Sequence, residues 1–267
     1  MANANPPLSS AVLSQPRCVV VVPCYNEAAR LDVETFARFL AAGRARTIHF
    51  LFVNDGSRDE TLAVLESLRA RFPERVSVLD QQPNRGKAEA VRNGMLEVIR
   101  SGAAVFTGYW DADLATPLEQ IVDFLDLLEL KPELNLVFGA RVRLLGRAIH
   151  RQPLRHYLGR CFATVVSVLL RLPVYDTQCG AKLFRITPDL PEVLTEPFHS
   201  RWIFDVEILA RLLALHRFNA VLLEGEIYEY PLPVWTDVAG SKVKPTDFLR
   251  AFGELAAIYR RHLAQRR

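Results

Sequence analysis

Two carboxylates separated by one residue, Asp111 and Asp113, follow a strand-like run that ends at Tyr109 and Trp110. At a strand exit such a pair can converge on a hard divalent cation. Mg²⁺ and Mn²⁺ take oxygen ligands of this kind, completed by water and substrate phosphates. Alone the D-x-D spacing is a weak signal, because a solvated turn explains it as well. Asp55 stands in Asn54-Asp55-Gly56-Ser57, which is turn chemistry with a helix cap from Ser57 or Asp59 behind it. It is also a carboxylate at a strand end that can accept hydrogen bonds from a base or ribose. Glu27, after Pro23 and Tyr25, has the same two readings. Asn84-Arg85-Gly86-Lys87 sets a glycine and two cations ahead of a helical pattern, which suits a phosphate at a helix N-terminus. It lacks P-loop spacing, and taken alone it reads more simply as a solvated loop.

The elements that must position these residues alternate between strand and helix. Short β-branched runs occupy Cys18–Val22, His49–Val53, Val76–Leu79, Ala104–Trp110 and Leu136–Phe138. Helical patterns fill the gaps at Asp32–Leu40, Asp59–Arg71, Lys87–Arg100 and Pro117–Leu130. Leu62, Leu65 and Leu68-Ala70 share one helical face, as do Ile121, Phe124, Leu125 and Leu128. The alternation predicts an α/β fold whose mainly parallel central sheet is flanked by helices on both faces. Ligands of such sheets bind at the carboxyl ends of the strands, which is where the candidate residues fall. After Phe138 the rhythm changes. A helix spans Leu154–Leu172, with Leu154, Leu158, Cys161, Val165 and Leu169 as its apolar stripe and Arg160, Thr164, Ser167 and Arg171 opposite. The segment Tyr175–Arg185 follows, then a helix near Phe204–Leu215, strand-like Ala220–Leu223 and Glu226–Leu232, and a final helix from about Pro245.

The chain has 267 residues, half of them hydrophobic and 24% charged, which fits one large globular domain over residues 17–267 behind a flexible segment at 1–16. Its nucleotide-binding half would span about 17–140 and its acceptor-side half about 141–267. The net charge of +3 is unevenly spread. Arg141 to Tyr175 holds seven arginines and no acid, whereas Asp111 to Glu133 holds seven carboxylates and one lysine. The division predicts one acidic and one basic functional surface. The arginine-rich stretch, with its apolar helical face, reads either as a membrane-surface helix or as a helix with its stripe in the core. Cys18, Cys24, Cys161 and Cys179 form no C-x-x-C pair and lie in or beside apolar runs, so reduced, buried thiols and a cytoplasmic chain are expected. No apolar run approaches the roughly 20 residues of a spanning helix, which leaves peripheral contact with the cytoplasmic membrane face as the membrane option. Small net charge and the lack of a recognition motif argue against nucleic acid.

The order of the motifs is more specific than any one of them. Val-Val-Pro-Cys-Tyr-Asn-Glu precedes Val-Asn-Asp-Gly-Ser-Arg-Asp-Glu-Thr, then Asn-Arg-Gly-Lys-Ala-Glu-Ala-Val-Arg-Asn-Gly, then Asp-Ala-Asp. Together they resemble glycosyltransferase family 2 with its GT-A fold, from about Arg17 to about Leu249. Within it the chain looks most like the polyprenyl-phosphate branch, especially dolichyl-phosphate β-glucosyltransferases. The supporting residues are Phe138-Gly139-Ala140-Arg141, the run Asp176 to Phe184, the run Arg201 to Glu207, and Trp235 through Gly240-Ser241-Lys242. The resemblance implies that Pro23, Tyr25, Glu27 and Asp55 hold the nucleotide of a nucleotide-sugar donor, with Lys87 near the base or ribose. It implies Mg²⁺ or Mn²⁺ on Asp111 and Asp113, Asp176 facing the acceptor, and Arg141, Arg155 and Lys242 near phosphates. Related mannosyltransferases carry another polar metal ligand two residues after the second aspartate, where this chain has Ala115. The membrane segments of many members of the branch are missing.

The expected reaction is inverting transfer of a sugar, glucose from UDP-glucose, to a polyprenyl phosphate. A hydroxyl acceptor on a soluble molecule or glycan, and a non-catalytic nucleotide-sugar-binding module, are the alternatives. A hydroxyl needs a general base, and Asp176 is the candidate. A phosphate monoester does not, because its second pKa is about 6. Asp176 also has a purely local reading, as a turn aspartate bonded to its own backbone.

Overall fold

The computed structural model describes residues 16–150, 153–237 and 245–264. The segment 1–15 and Lys242 lie outside them. Arg155 is a backbone position of a helix whose side chain there is likewise outside the described residues.

The first half builds the predicted alternation: β1 (Cys18–Cys24), α1 (Val33–Ala41), β2 (Ile48–Asp55), α2 (Thr61–Arg71), β3 (Val76–Gln81), α3 (Lys87–Ser101), β4 (Phe106–Trp110), α4 (Glu119–Leu130) and β5 (Leu136–Ala140). Every residue of β2 is buried, as a parallel strand covered on both faces must be. Asp32 starts α1 by accepting from Thr35 N–H, and Asp59 accepts from Thr61 N–H as α2 begins. The second half adds β6 (Ala148–His150), α5 (Pro153–Leu170), β7 (Ala181–Arg185), α6 (Asp189–Thr195), α7 (Phe204–Leu215), α8 (Ala220–Gly225), β8 (Ile227–Pro231), β9 (Val234–Thr236) and α9 (Pro245–Ile258).

Seven strands form one sheet in the order β3-β2-β1-β4-β7-β5-β8. β7 runs antiparallel to β4 and β5, while the other pairings are parallel. β6 and β9 pair separately. One face of the sheet is covered by α1, α2 and α4 through Phe36, Leu65, Leu68 and Phe124. The other is covered by α3, α5, α6, α7 and α9 through Val91, Met95, Val166, Leu209 and Leu255. On the first face Phe36 meets Phe50 and Phe52 edge-on at 5.2 and 5.0 Å, contacts worth about 0.5–1.5 kcal/mol each beyond burial.

Four expectations need correction. Ala220–Leu223 is the first turn of α8, because Asn219 caps it by accepting from Leu222 N–H and converts a short apolar run into helix. On α5 the stripe that enters the core is Phe162, Ala163, Val166 and Leu170, whereas Leu158, Cys161 and Val165 face solvent. The helix is turned by about one residue, roughly 100°, from the expected stripe, since Phe162 and Val166 bring more surface to the core than Cys161 and Val165. Cys161 is therefore exposed. Cys18, Cys24 and Cys179 are buried, and all four thiols are free. On α2, Leu65 and Leu68 are buried but Ala70 is exposed.

Candidate active site

The loops after β1 and β2 are stitched together. Ser57 Oγ accepts from Asn26 N–H at 3.0 Å, Asn26 Oδ1 accepts from Arg58 N–H at 2.8 Å, and Thr61 Oγ1 accepts from Glu27 N–H at 2.8 Å. Pro23 pairs with Val53 near the end of β1, so Tyr25 and Glu27 emerge beside Asp55 at the end of β2. The Glu27 carboxylate is held by Arg30 at 2.5–2.9 Å. Asp55 is 2% exposed and accepts four side-chain or backbone donors: Gln81 Nε2, Asn84 Nδ2, Arg85 N–H and Gly86 N–H, at 2.6–2.9 Å. A carboxylate has about four lone-pair sites, and all four are in use. Asp55 thus fixes the turn that delivers Lys87 to the start of α3.

Lys87 does not stop at that turn. Its Nζ lies 2.5 Å from Asp111 Oδ1. Burial works against the Lys87 charge, but Asp111, Asp205 and Asp113 outweigh it and raise its pKa above the ordinary lysine value. Asp113 is pushed the other way. Burial first, then the Asp111 charge, raise its carboxyl above the usual range, and Glu27 adds to this. Asp205 has Lys182 and Glu27 has Arg30, so Asp111 and Asp113 are left to share Lys87, and a divalent cation would relieve the surplus negative charge. Among the described residues no three His, Cys, Asp or Glu side chains form a metal cage. Two carboxylates completed by diphosphate oxygens need none, and that all-oxygen set fits Mg²⁺ or Mn²⁺.

Asp111 is seated by the adjacent strand, β7. Its N–H donates to Gly180 O at 2.9 Å, and a Cβ on Gly180 would come within 1.9 Å of Asp111 Oδ2. The glycine before β7 lets backbone approach this carboxylate. On the same loop Asp176, 7% exposed, is clasped by Arg141: Nε to Oδ2 at 2.6 Å, a second guanidinium nitrogen to Oδ1 at 2.7 Å, and the Arg141 N–H to Oδ2 at 3.0 Å. Its bond from Gln178 N–H at 3.3 Å is the local turn expected from sequence, but the Arg141 fork is the stronger contact. The Arg141 guanidinium also lies 5.2 Å from the Trp235 ring.

Several residues here were not singled out by their chemistry in sequence. Glu229 on β8 accepts from Tyr175 and Asp176 N–H and holds the loop. Arg160 on α5 stacks on the Tyr175 ring at 3.4 Å and donates to Tyr175 O. Lys182 and Asp205 form a buried pair at 2.7 Å. Thr236 N–H donates to Ala115 O, so β9 touches the Asp111–Asp113 loop. Lys182, Asp205 and Trp235 stood inside the quoted motifs, which was their only signal.

The family model for glycosyl transferase family 2 matches residues 19–189, a span that holds the loops after β1, β2, β3 and β4 and the one before β7. The chain belongs to glycosyltransferase family 2. Dolichyl-phosphate beta-glucosyltransferase from Drosophila melanogaster is 34% identical over 258 residues, which cover 91% of this chain and 74% of that protein. The Saccharomyces cerevisiae protein of the same name is 32% identical over 243 residues, 84% of this chain and 68% of its own. In fold, this glycosyltransferase is similar to glucosyl-3-phosphoglycerate synthase from Mycobacterium tuberculosis, solved with Mn²⁺, UDP and glucosyl-3-phosphoglycerate. That likeness has a TM-score of 0.61 at 18% identity and covers 96% of this chain and 85% of the other. The mannosyltransferase PcManGT from Pyrobaculum calidifontis, solved with GDP-Man and Mn²⁺, gives a TM-score of 0.59 at 17% identity over 92% and 64%. The seven-stranded sheet is that of the GT-A glycosyltransferase fold.

Proposed function

We propose that this family 2 glycosyltransferase moves glucose from UDP-glucose to a polyprenyl phosphate of the dolichyl type, with inversion at the anomeric carbon. The glucose and the lipid phosphate come from the names of its relatives. The observation that carries the acceptor assignment is the Arg141–Asp176 clasp. Both oxygens of Asp176 are occupied by one guanidinium, which makes it a poor proton acceptor. A phosphate monoester needs none, being already an anionic nucleophile near neutral pH. Arg141, together with Arg160, which reaches from α5 onto Tyr175 of the loop before Asp176, is suited to hold that anion. Arg155 and Lys242 are proposed as further cations toward phosphate.

On the donor side Pro23, Tyr25 and Glu27 form the wall for the nucleoside, and Asp55 acts through the Asn84–Lys87 turn that it holds. Asp111 and Asp113 would hold Mg²⁺ or Mn²⁺, which supplies charge stabilisation for the departing nucleoside diphosphate. Lys87, on Asp111, adds a second positive charge on the leaving-group side.

An anionic membrane surface is the proposed partner, met from outside. No helix among the described residues is long and apolar enough to cross a membrane. Leu144 to Arg147 is a tight turn, closed by Arg147 N–H donating to Leu144 O, with Gly146 at φ 80° in its third position. It presents Leu145 fully exposed and Leu144 half exposed between Arg143 and Arg147. An apolar tip between arginines suits an interface of acyl chains and anionic headgroups, each arginine there being worth about 1 kcal/mol.

The test is a screen of UDP-glucose, UDP-galactose, GDP-mannose and UDP-GlcNAc against short polyprenyl phosphates, with Mn²⁺ or with EDTA, read by mass spectrometry. Glucosyl phosphate lipid from UDP-glucose alone, lost in EDTA, is the expected result. Preference for GDP-mannose, or full turnover in EDTA, would overturn the donor or the metal assignment respectively.

A further inference from the structure

Lys182 is 2% exposed and lies inside the sheet on β7, between β4 and β5. Its three ammonium donors all have acceptors. Nζ lies 2.7 Å from Asp205 Oδ1 on α7 and donates to Thr177 O at 2.9 Å and Cys179 O at 2.6 Å. The rings of Tyr109 and Phe138 lie 5.5 and 5.4 Å from it, and the Tyr109 hydroxyl donates to the same Asp205 carboxylate. Replacing a buried ion pair with neutral groups of similar volume is often neutral or stabilising, so stability alone is a weak reason for this one.

What distinguishes the pair is where its hydrogen bonds go. The two carbonyls that Lys182 draws inward belong to the residues between Asp176 and Gly180. Asp176 ends the acceptor side of that loop through Arg141. Gly180 ends the other side, taking the Asp111 N–H and packing against the Asp111 carboxylate. One ammonium therefore fixes the piece of backbone that joins the acceptor carboxylate to the metal-binding carboxylate. Asp205 reaches the donor side as well, since its charge is among those that support Lys87. We propose that Lys182 and Asp205 are a positioning pair that sets the distance between the Asp111 seat and the Asp176–Arg141 clasp. The two charges touch neither substrate. They act through the loop 177–180, and the proposal rests on the reading of the site as a metal-assisted glucosyltransferase.

The experiment compares wild type with Lys182→Met and with Lys182→Met/Asp205→Asn. It reads the thermal midpoint, metal-free UDP affinity, Mn²⁺ affinity of the UDP-saturated protein by calorimetry, and kcat and KM for transfer. Lys182→Met strands the Asp205 charge, so its midpoint falls. The double variant removes both charges and keeps an acceptor for Tyr109, and its midpoint recovers to within a few degrees of wild type. Its kcat stays about 10²-fold low, the scale of an ångström-sized misplacement at a reacting centre. Mn²⁺ binding weakens by about tenfold in both variants, as for a lost supporting contact behind a metal ligand. Metal-free UDP affinity is unchanged, because the Asp55 turn is built from other strands. A double variant with wild-type midpoint, Mn²⁺ affinity and kcat would overturn the proposal, leaving the pair a dispensable part of the core. Loss of UDP affinity in step with the midpoint would overturn it too, by showing global damage. A wild type that binds UDP and Mn²⁺ but glucosylates no polyprenyl phosphate would strike the proposed reaction instead, and the Mn²⁺ arm would still decide the positioning role.

Discussion

Asp176 separates the two acceptor chemistries at the level of one side chain. With a phosphate nucleophile, Asp176→Asn weakens the Arg141 clasp and costs about 10–100-fold in kcat/KM, the worth of a hydrogen bond to a charged group. The acid limb near pH 6 then belongs to the substrate and persists in the variant. With a hydroxyl nucleophile the same substitution removes a base, costs roughly 10²–10⁴-fold and erases the limb. Kinetics from pH 5 to 9 distinguish them, and the retained limb is expected. Gly180→Ala is the second residue-scale test. Its methyl would lie 1.9 Å from Asp111 Oδ2, so transfer falls by about 10²-fold or more while metal-free UDP affinity, by calorimetry, holds. The position of Asp111 and Asp113 at the exit of β4 was legible in sequence, because the apolar run before them ends at Trp110. The filled acceptor sites of Asp55 were not, because its donors come from β3 and the loop after it. Glu229 looked like any polar residue in a strand, since the loop that it holds lies 53 and 54 positions earlier in the chain.

At the level of elements, periodicity located β1 to β5, β8 and the longer helices, but it missed the short β6, α6 and β9, gave β7 no type, and did not fix which way each helix turns. The expected stripe of α5 and the stripe that is buried differ by one position, and both contain valine and leucine; only the shape of the core, filled by Phe162 and Val166, decides between them. Ala220–Leu223 was misread because the decisive residue, Asn219, precedes the run. The α7 helix carries a feature that no periodicity reveals. Glu207 is fully buried and accepts from His199 N–H, Ser200 N–H, Arg211 and His262, the last of these on the turn after α9. Burial alone would raise its carboxyl, but His262, the Ser200 N–H and Arg211 outweigh that and hold it at about 2. An unfolded glutamate titrates near 4.3, so this stabilisation is present above that pH and is lost as pH falls toward 2. Glu207→Gln is expected to cost about 1–3 kcal/mol at pH 7 by urea denaturation, with the gap to wild type closing between pH 4.3 and 2. A gap that stays constant would mean that the carboxylate charge is not what docks these elements.

At the scale of the whole molecule, the acids of the D-x-D loop lie at the end of β4, and Arg141, the first of the arginine-rich stretch, turns inward onto Asp176. The direction of β7, the single antiparallel strand of the large sheet, was not legible, because nothing in Ala181–Arg185 states which way it runs. That strand carries Lys182 and follows Gly180, so it links the donor and acceptor sides. The Leu144–Arg147 turn makes the membrane reading testable on the intact protein. It should co-sediment with vesicles containing anionic lipid, less with neutral ones, and release as salt shortens screening to about 3 Å at 1 M. Replacing Leu144 and Leu145 with serine should weaken binding by about tenfold, the loss of roughly 1.5 kcal/mol of apolar burial; equal binding of variant and wild type would remove the turn from the interface. The most direct measurement of the central claim offers wild-type protein, UDP-glucose and Mn²⁺ an equimolar mixture of a short polyprenyl phosphate and the polyprenol of the same length, with products resolved by mass spectrometry and the new linkage assigned by NMR. The account predicts β-glucosyl phosphate lipid and no glucosylated alcohol. Transfer to the alcohol, abolished in Asp176→Asn, would contradict it.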